Sequence, residues 1–269
     1  MGKGDNLSGH CAIVTGAAGG IGLAFCRELA SRHCDLVIID ISRERMEENA
    51  IELRRQFGVT VHILPLDLTR PNIVDLIERF VAQKNIDPDI LINNAGIFAF
   101  APLPEITDER IDCFINLHVR AVTLLSKWMA SRRAPKGSGW ILNMSSLSCW
   151  TPMPGLSMYA ATKAYIRVFS RSLHYDMRDS GVRVMAACPG GIATDLFGLP
   201  DNLKRLALNI GAIVTPEKFA RKAVTRLMNG KQQYINGFVN RCSIFLAGIT
   251  PTPVRMMVKH RLLDKGIKR

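Results

Sequence analysis

The chain has 269 residues, 48% of them hydrophobic, and carries 35 lysines and arginines against 23 acidic residues, a formal charge of +12. That length fits one large α/β domain with a substantial core, read here as a single unit over residues 1–269. The apolar run at 244–249 falls well short of the roughly 18 residues that cross a bilayer, which excludes a transmembrane helix there.

The seven cysteines contain no C-x-x-C pair and sit mostly in apolar segments, so buried reduced thiols are expected and no metal site is read. The start, Met-Gly-Lys-Gly-Asp-Asn, lacks the apolar stretch of a signal peptide, and Asn6 stands where a myristoylation motif needs Ser or Thr. The expected location is therefore cytoplasmic. A basic balance alone describes solubility and non-specific attraction, and no nucleic-acid reader motif accompanies it, so no nucleic-acid partner is expected.

In chain order, short β-branched runs near 11–15, 36–40, 59–65, 89–93, 139–144 and 182–188 alternate with amphipathic stretches near 20–32, 43–56, 71–83, 105–131 and 157–179. This is the pattern of βαβ units and a doubly wound, mostly parallel sheet with helices on both faces. Gly58 and Gly181 fall where helices should stop before strands begin. Thr215-Pro216-Glu217 reads as cap, first-turn proline and first-turn acid of a further helix, followed by a short strand at Gln232 to Ile235.

The first strand runs into Thr15-Gly16-Ala17-Ala18-Gly19-Gly20-Ile21-Gly22 and then a helix. Glycines there let backbone N–H groups and a helix N-terminus approach a pyrophosphate. The spacing, G-x-x-x-G-x-G, differs from the G-x-G-x-x-G fingerprint, and a tight turn without a ligand is the competing reading. The second strand ends at Asp40, where a carboxylate can accept bonds from the adenosine ribose hydroxyls and repel a 2′-phosphate. NAD is therefore expected over NADP, with Arg43 the residue that argues otherwise. Asp67 and Leu68 follow the third strand and are placed beside the adenine, although Asp67 can equally cap the helix near Pro71.

Tyr159-Ala160-Ala161-Thr162-Lys163 puts a phenol and an ammonium on one helical face. A cation beside tyrosine stabilises phenolate and brings its pKa toward a usable value. Ser146 ends the fifth strand 13 residues earlier, at the end of the sheet where ligands sit.

Together, the T-G-x-x-x-G-x-G loop, Asn93-Asn94-Ala95-Gly96, the Ser–Tyr–Lys set and Pro189-Gly190 resemble the short-chain dehydrogenase/reductase family over roughly residues 10–195. The resemblance implies a seven-stranded Rossmann-like sheet and a four-residue catalytic set of Asn116, Ser146, Tyr159 and Lys163. Asn116 would hold a proton-relaying water, Ser146 would bind the substrate oxygen, and Tyr159 would exchange its proton. Lys163 would bind the nicotinamide ribose and lower the Tyr159 pKa.

It also implies cofactor contacts at Gly16, Ala18, Gly20, Ile21, Gly22, Asn94, Ala95, Gly96, Pro189, Gly190, Ile192 and Thr194, with Thr194 on the carboxamide. Ser145 and Asn93 are read as structural. Val119 departs from a frequent family glycine, and His118 beside it is read as a surface or packing residue.

Leu147 to Met158 and Asp195 to Val214 should frame the substrate, the latter as a lid. Trp150, Met153, Leu156, Met158, Leu196, Phe197 and Leu199 suit a small lipophilic alcohol or ketone. Beyond Gly237 an apolar patch and a basic amphipathic stretch form an extension over 237–269. Contact with another subunit and peripheral attachment to an anionic membrane are its two readings.

The expected function is reversible NAD-linked interconversion of a secondary alcohol and a ketone, on a steroid-like or 3-oxoacyl substrate, by a homodimer or homotetramer. A dinucleotide-binding regulatory or scaffold protein without turnover is the alternative.

Overall fold

A computed structural model describes residues 6–192 and 213–260. The β-branched runs form strands β1 (Cys11–Thr15), β2 (Asp35–Asp40), β3 (Val61–Pro65), β4 (Ile90–Asn93), β5 (Gly139–Met144) and β6 (Val182–Ala187). The two-residue strands β7 (Gly191–Ile192), β8 (Ile213–Val214) and β9 (Gln233–Tyr234) follow. Seven of these make one parallel sheet in the order β3-β2-β1-β4-β5-β6-β9, while β7 pairs with β8 in a separate two-stranded sheet. The order reverses between β1 and β4, and the crevice at their carboxyl ends is where a doubly wound sheet binds ligands.

Helices α1 (Gly20–Ala30), α2 (Arg43–Phe57), α3 (Ile73–Gln83), α4 (Asp108–Phe114), α5 (Val122–Arg133), α6 (Ser157–Asp176) and α7 (Pro216–Met228) cover both faces. Two further helices, α8 (Phe238–Ile249) and α9 (Thr252–Val258), close the described chain.

Alternation along each strand divides the core into two layers. Ala12, Val14, Leu36, Ile38 and Ile92 pack with Phe25, Leu53 and Phe219 on one face. Ile13, Val37, Ile39 and Leu91 pack with Ile73, Ile77, Val81 and Leu125 on the other. The i, i+4, i+8 spacing of the three α3 residues explains why that segment is a helix with one buried stripe.

The chain reverses as its punctuation requires. Gly58 and Gly181 both take left-handed backbone at helix ends, and the Thr215 hydroxyl accepts from the Lys218 N–H at the start of α7.

One expected element differs. The single helix expected over 105–131 is α4 and α5 joined by a wider π-helical segment, Ile115–Ala121. A π turn changes which residues face inward, which matters at the site below.

Candidate active site

A cavity of about 640 Å³ lies over the carboxyl ends of β1 and β4. Its floor is the loop from Gly16 to Ile21. Gly16 has a φ of 65°, and a side chain there would meet the Ala95 Cα at 2.8 Å and the Asn94 amide nitrogen at 2.9 Å. A Cβ on Gly22 would lie 1.9 Å from the Gly16 carbonyl oxygen. Only hydrogen fits at either position, so the turn and the α1 N-terminus close tightly on one another. Gly19 caps α1 without a side-chain acceptor, and no acid stands in the first turn. The first N–H groups of α1 thus lack a side-chain partner at an electropositive helix end, which fits an anionic pyrophosphate.

Asn94 stitches this floor together. Its side chain donates to the carbonyls of Thr15 and Gly16 at 3.0 and 3.1 Å, and the Thr15 hydroxyl accepts from the N–H groups of Asn94 and Ala95, each at 3.0 Å. Asn93 points instead into the core. It donates to Asn143 at 2.8 Å and Ser126 at 3.2 Å, and Asn143 donates to Ser170 at 2.9 Å, a buried network joining β4, β5, α5 and α6. At the adenosine end, Asp40 accepts from the N–H groups of Ala18 at 3.0 Å and Ser42 at 3.1 Å, and its neighbours in the wall are Ile41, Ser42 and Arg45.

Tyr159 and Lys163 line the opposite end of the cavity. The Lys163 ammonium is buried and donates to the Met144 carbonyl at 2.9 Å, while the Ser145 hydroxyl donates to the Lys163 carbonyl at 2.7 Å. Burial pulls the Lys163 pKa down to about 8. Burial also raises the Tyr159 phenol, with the Ser146 hydroxyl hydrogen-bonding it in the opposite sense and Cys149 adding to the rise.

The expected lowering of Tyr159 by Lys163 does not operate in this geometry. The ammonium lies 5.7 Å from the centre of the Tyr159 ring and is bound to Met144, whereas desolvation acts on the hydroxyl directly.

Gly16, Ala18, Gly20, Ile21, Asp40, Asn94, Ala95, Gly96, Tyr159, Lys163 and Pro189 are brought together around this one cavity. Gly22 and Ser146 adjoin it through Gly16 and Tyr159. Asp67 and Leu68 do not join it. The Asp67 carboxylate accepts from the N–H and hydroxyl of Thr69, each at 2.8 Å, so it closes a local turn, and Leu68 is buried in the core.

Gly190 is clasped from behind: its N–H donates to Asn236 at 2.7 Å, and a side chain there would lie 2.4 Å from Asn240 of α8. Ile192 lies in β7, and Thr194, Leu196, Phe197 and Leu199 fall outside the described residues. Trp150, Met153, Leu156 and Met158 do not line the cavity; Trp150 instead stacks against the Arg167 guanidinium at 4.5 Å.

Asn116, to which the resemblance gives a proton-relaying water, stands half-buried on the π-helical segment, beside the junction of α6 with the loop after β4. It does not line the cavity and makes no hydrogen bond to Tyr159 or Lys163. That junction holds His118, fully buried, with Nε2 accepting from the Ile97 N–H at 3.0 Å and Nδ1 bonded to the Thr162 hydroxyl at 2.9 Å.

Sequence reasoning also missed Ile97 and Phe98, whose loop follows β4 and supplies the apolar wall; the Phe98 ring meets Tyr159 edge-on at 4.9 Å. No spacing rule marks such a loop. Arg45 was legible only as one exposed charge of α2 among several.

A parallel doubly wound sheet with a glycine-floored cavity at its switch point and a Ser–Tyr–Lys cluster at the mouth defines a dinucleotide-dependent oxidoreductase. More specifically, residues 10–201 match the short chain dehydrogenase family, and the chain belongs to it. Such enzymes act on CH–OH and C=O groups with NAD or NADP.

Among relatives, a very-long-chain 3-oxoacyl-CoA reductase of Anas platyrhynchos is 29% identical, over 97% of this chain and 84% of its own length. The inactive hydroxysteroid dehydrogenase-like protein 1 of Homo sapiens is 30% identical over 81% of this chain and 66% of its own. A short-chain dehydrogenase from Sphingobium yanoikuyae, solved in complex with NADPH, superposes with a TM-score of 0.76 at 27% identity, over 94% of this chain and 96% of the other.

Proposed function

We propose that the chain interconverts a secondary alcohol and a ketone on a lipophilic substrate of the 3-oxoacyl thioester or hydroxysteroid kind, with NAD(H). The observation that carries this reading is Tyr159 in the lining of the glycine-floored cavity, with the Lys163 ammonium 5.7 Å and the Phe98 ring 4.9 Å from the centre of its ring. The name of the Anas platyrhynchos relative supports the 3-oxoacyl class.

The cofactor supplies the hydride when bound. The α1 N-terminus and the Gly16–Ile21 loop would hold its pyrophosphate, Asp40 its adenosine ribose, and Lys163 its second ribose. In reduction Tyr159 gives its proton to the substrate oxygen, and in oxidation it takes that proton back. Its raised pKa keeps it protonated at neutral pH, the form suited to donating. Ser146 holds the reacting oxygen against Tyr159, so orientation is set before the proton moves. Phe98 and Ile97 exclude water from one side.

Asp40 supports NAD(H); Arg45 in the same wall supports a measurable use of NADP(H), the cofactor form bound by the Sphingobium yanoikuyae protein. Absorbance of the reduced nicotinamide, followed with long-chain 3-oxoacyl-CoAs and ketosteroids, tests the assignment. Tyr159→Phe should lower turnover by about 10²–10⁴-fold. Wild-type turnover in that variant would refute the mechanism. Tight NADH binding with no turnover across the screen would favour the scaffold reading, which the relative named as inactive keeps in view.

The C-terminal helices carry a second part of the proposal. Phe245 is 79% exposed and Phe238 80%, with Leu246, Val254 and Met257 also exposed and Arg241 and Arg255 on the same helices. Apolar side chains beside basic ones suit the surface of an anionic bilayer. No described helix is long and apolar enough to cross one. Co-sedimentation with phosphatidylserine vesicles should be strong for the full chain and weak for Phe245→Glu; equal non-binding of both would end the membrane reading.

A further inference from the structure

We infer that His118 is a positioning residue of this site, a neutral imidazole that braces the Tyr159 helix against the loop carrying Ile97 and Phe98. The inference rests on the reaction proposed above. A backbone N–H can only donate, so the 3.0 Å bond from Ile97 fixes Nε2 as the acceptor and therefore as the unprotonated nitrogen. Burial, with Lys163 and Arg110 nearby, pulls the His118 pKa down to about 2, which keeps the ring neutral. Nδ1 then carries the proton and donates to the Thr162 hydroxyl at 2.9 Å. The Thr162 hydroxyl in turn faces the carbonyls of Met158 at 3.0 Å and Tyr159 at 3.1 Å, to one of which it donates.

One directed chain of hydrogen bonds thus runs from the loop after β4, through the ring, into the first turn of α6. Both ends touch the chemistry. At one end Phe98 follows Ile97 and packs its ring on Tyr159; at the other the chain ends on the backbone of Met158 or Tyr159 itself. The His118 ring also lies 6.2 Å from the Tyr159 ring and 5.4 Å from Phe114, edge-on to each.

Gly96 records how closely the parts meet. A side chain there would come 2.9 Å from His118 Nε2 and 3.4 Å from the Lys163 ammonium nitrogen. The π-helical segment is what turns His118 toward this junction.

The experiment compares His118→Gln, His118→Phe and Thr162→Val in the full chain with a long-chain 3-oxoacyl-CoA and NADH. Glutamine can place an acceptor near Nε2, whereas phenylalanine fills the space with none. His118→Phe should lose about 100-fold in kcat, the scale set by a misplacement of roughly 1 Å, with its KM for NADH within threefold of wild type. His118→Gln should recover at least tenfold of that loss, a rescue that simple space-filling would not produce. Thr162→Val should lower kcat as well, and the double variant Thr162→Val with His118→Phe should fall little further than His118→Phe alone.

Wild-type kcat in a folded His118→Phe protein overturns the inference. Nitrogen-15 NMR of histidine-labelled, cofactor-free protein gives a readout independent of substrate. The His118 ring should hold the Nδ1–H tautomer from pH 5 to 9, and an Nε2–H tautomer or a ring that titrates in that range overturns it equally. If the wild-type protein turns over none of the substrates, the proposed reaction fails, and the brace is judged on the tautomer alone.

Discussion

Replacing Lys163 with methionine should make the cofactor-free protein more stable while ending its activity. The ammonium is 5% exposed at the residue level and makes one hydrogen bond, to Met144. Burial takes its pKa from the usual 10.5 to about 8, with Cys188 acting weakly the other way. Below pH 8 folded and unfolded chains both hold the proton, and the folded state carries the whole cost of the buried charge.

Between pH 8 and 10.5 the unfolded chain keeps a proton that the folded chain has lost, so wild-type stability rises with pH through that window. The cost at pH 7 is about 3 kcal/mol. Methionine keeps the linear apolar stem without the charge but gives up a charged hydrogen bond to a carbonyl, a loss of about 1.5–3 kcal/mol at most. The net gain is about 1 kcal/mol, a Tm rise of about 2–4 °C in a chain of this size.

Differential scanning fluorimetry of both proteins from pH 7 to 10 reads this directly, because groups common to both cancel in the difference. The gap should be largest at pH 7 and shrink as the pH approaches 10. A variant less stable than wild type at pH 7, or a gap that does not shrink, would refute the argument from burial.

Gly22→Ala should abolish NADH binding in a fluorescence titration, since its Cβ has no room beside the Gly16 carbonyl, whereas Gly19→Ala, with nothing within 4 Å, should fold as wild type. Asp40→Ser should move the ratio of NADPH to NADH efficiency upward by about tenfold or more, the value of about 1.4 kcal/mol of charge repulsion removed; an unchanged ratio would deny Asp40 any role in cofactor choice. Phe219→Ala empties a fully buried position between Phe25 and Tyr234 and should cost about 3–5 kcal/mol in urea unfolding.

The sheet was legible because each strand of the centre is buried on both faces, so runs such as Leu36-Val37-Ile38-Ile39 have only one sensible structure. The glycine loop and the Tyr159–Lys163 pair were legible for a related reason: close backbone approach and a four-residue helical spacing are written in the sequence. His118 was not, because its role depends on which face a π-helical segment turns inward, and no residue pattern announces that widening. Ile97 and Phe98 were not, because a loop's apolar side chains become a wall only once α6 stands opposite them. Asp67 had two readings because a carboxylate after a strand suits an adenine or a local turn equally well, and here one of its oxygens accepts from the Thr69 N–H and hydroxyl.

The C-terminal extension is tied to the chemistry more closely than its composition suggests. Asn236 accepts from the Gly190 N–H, Asn240 packs where a Gly190 side chain would be, and the Asn240 amide donates to the Asn236 carbonyl at 2.9 Å. Pro189, one residue earlier, lines the cavity, and its carbonyl accepts from the Leu147 N–H at 2.7 Å, next to Ser146. Beyond Gly190, Gly191–Ile192 pairs in parallel with Ile213–Val214. Of the stretch 195–214 expected as a lid, the described residues are 213 and 214, which form β8. The start of α8 and the Ser146 segment are thus linked through Gly190 and Pro189, by the Asn236 and Asn240 side chains on one side and the Leu147 N–H on the other. A shift of α8, whether from a substitution at Asn240 or from its exposed face binding a surface, would therefore reach the mouth of the cavity through Gly190 and Pro189.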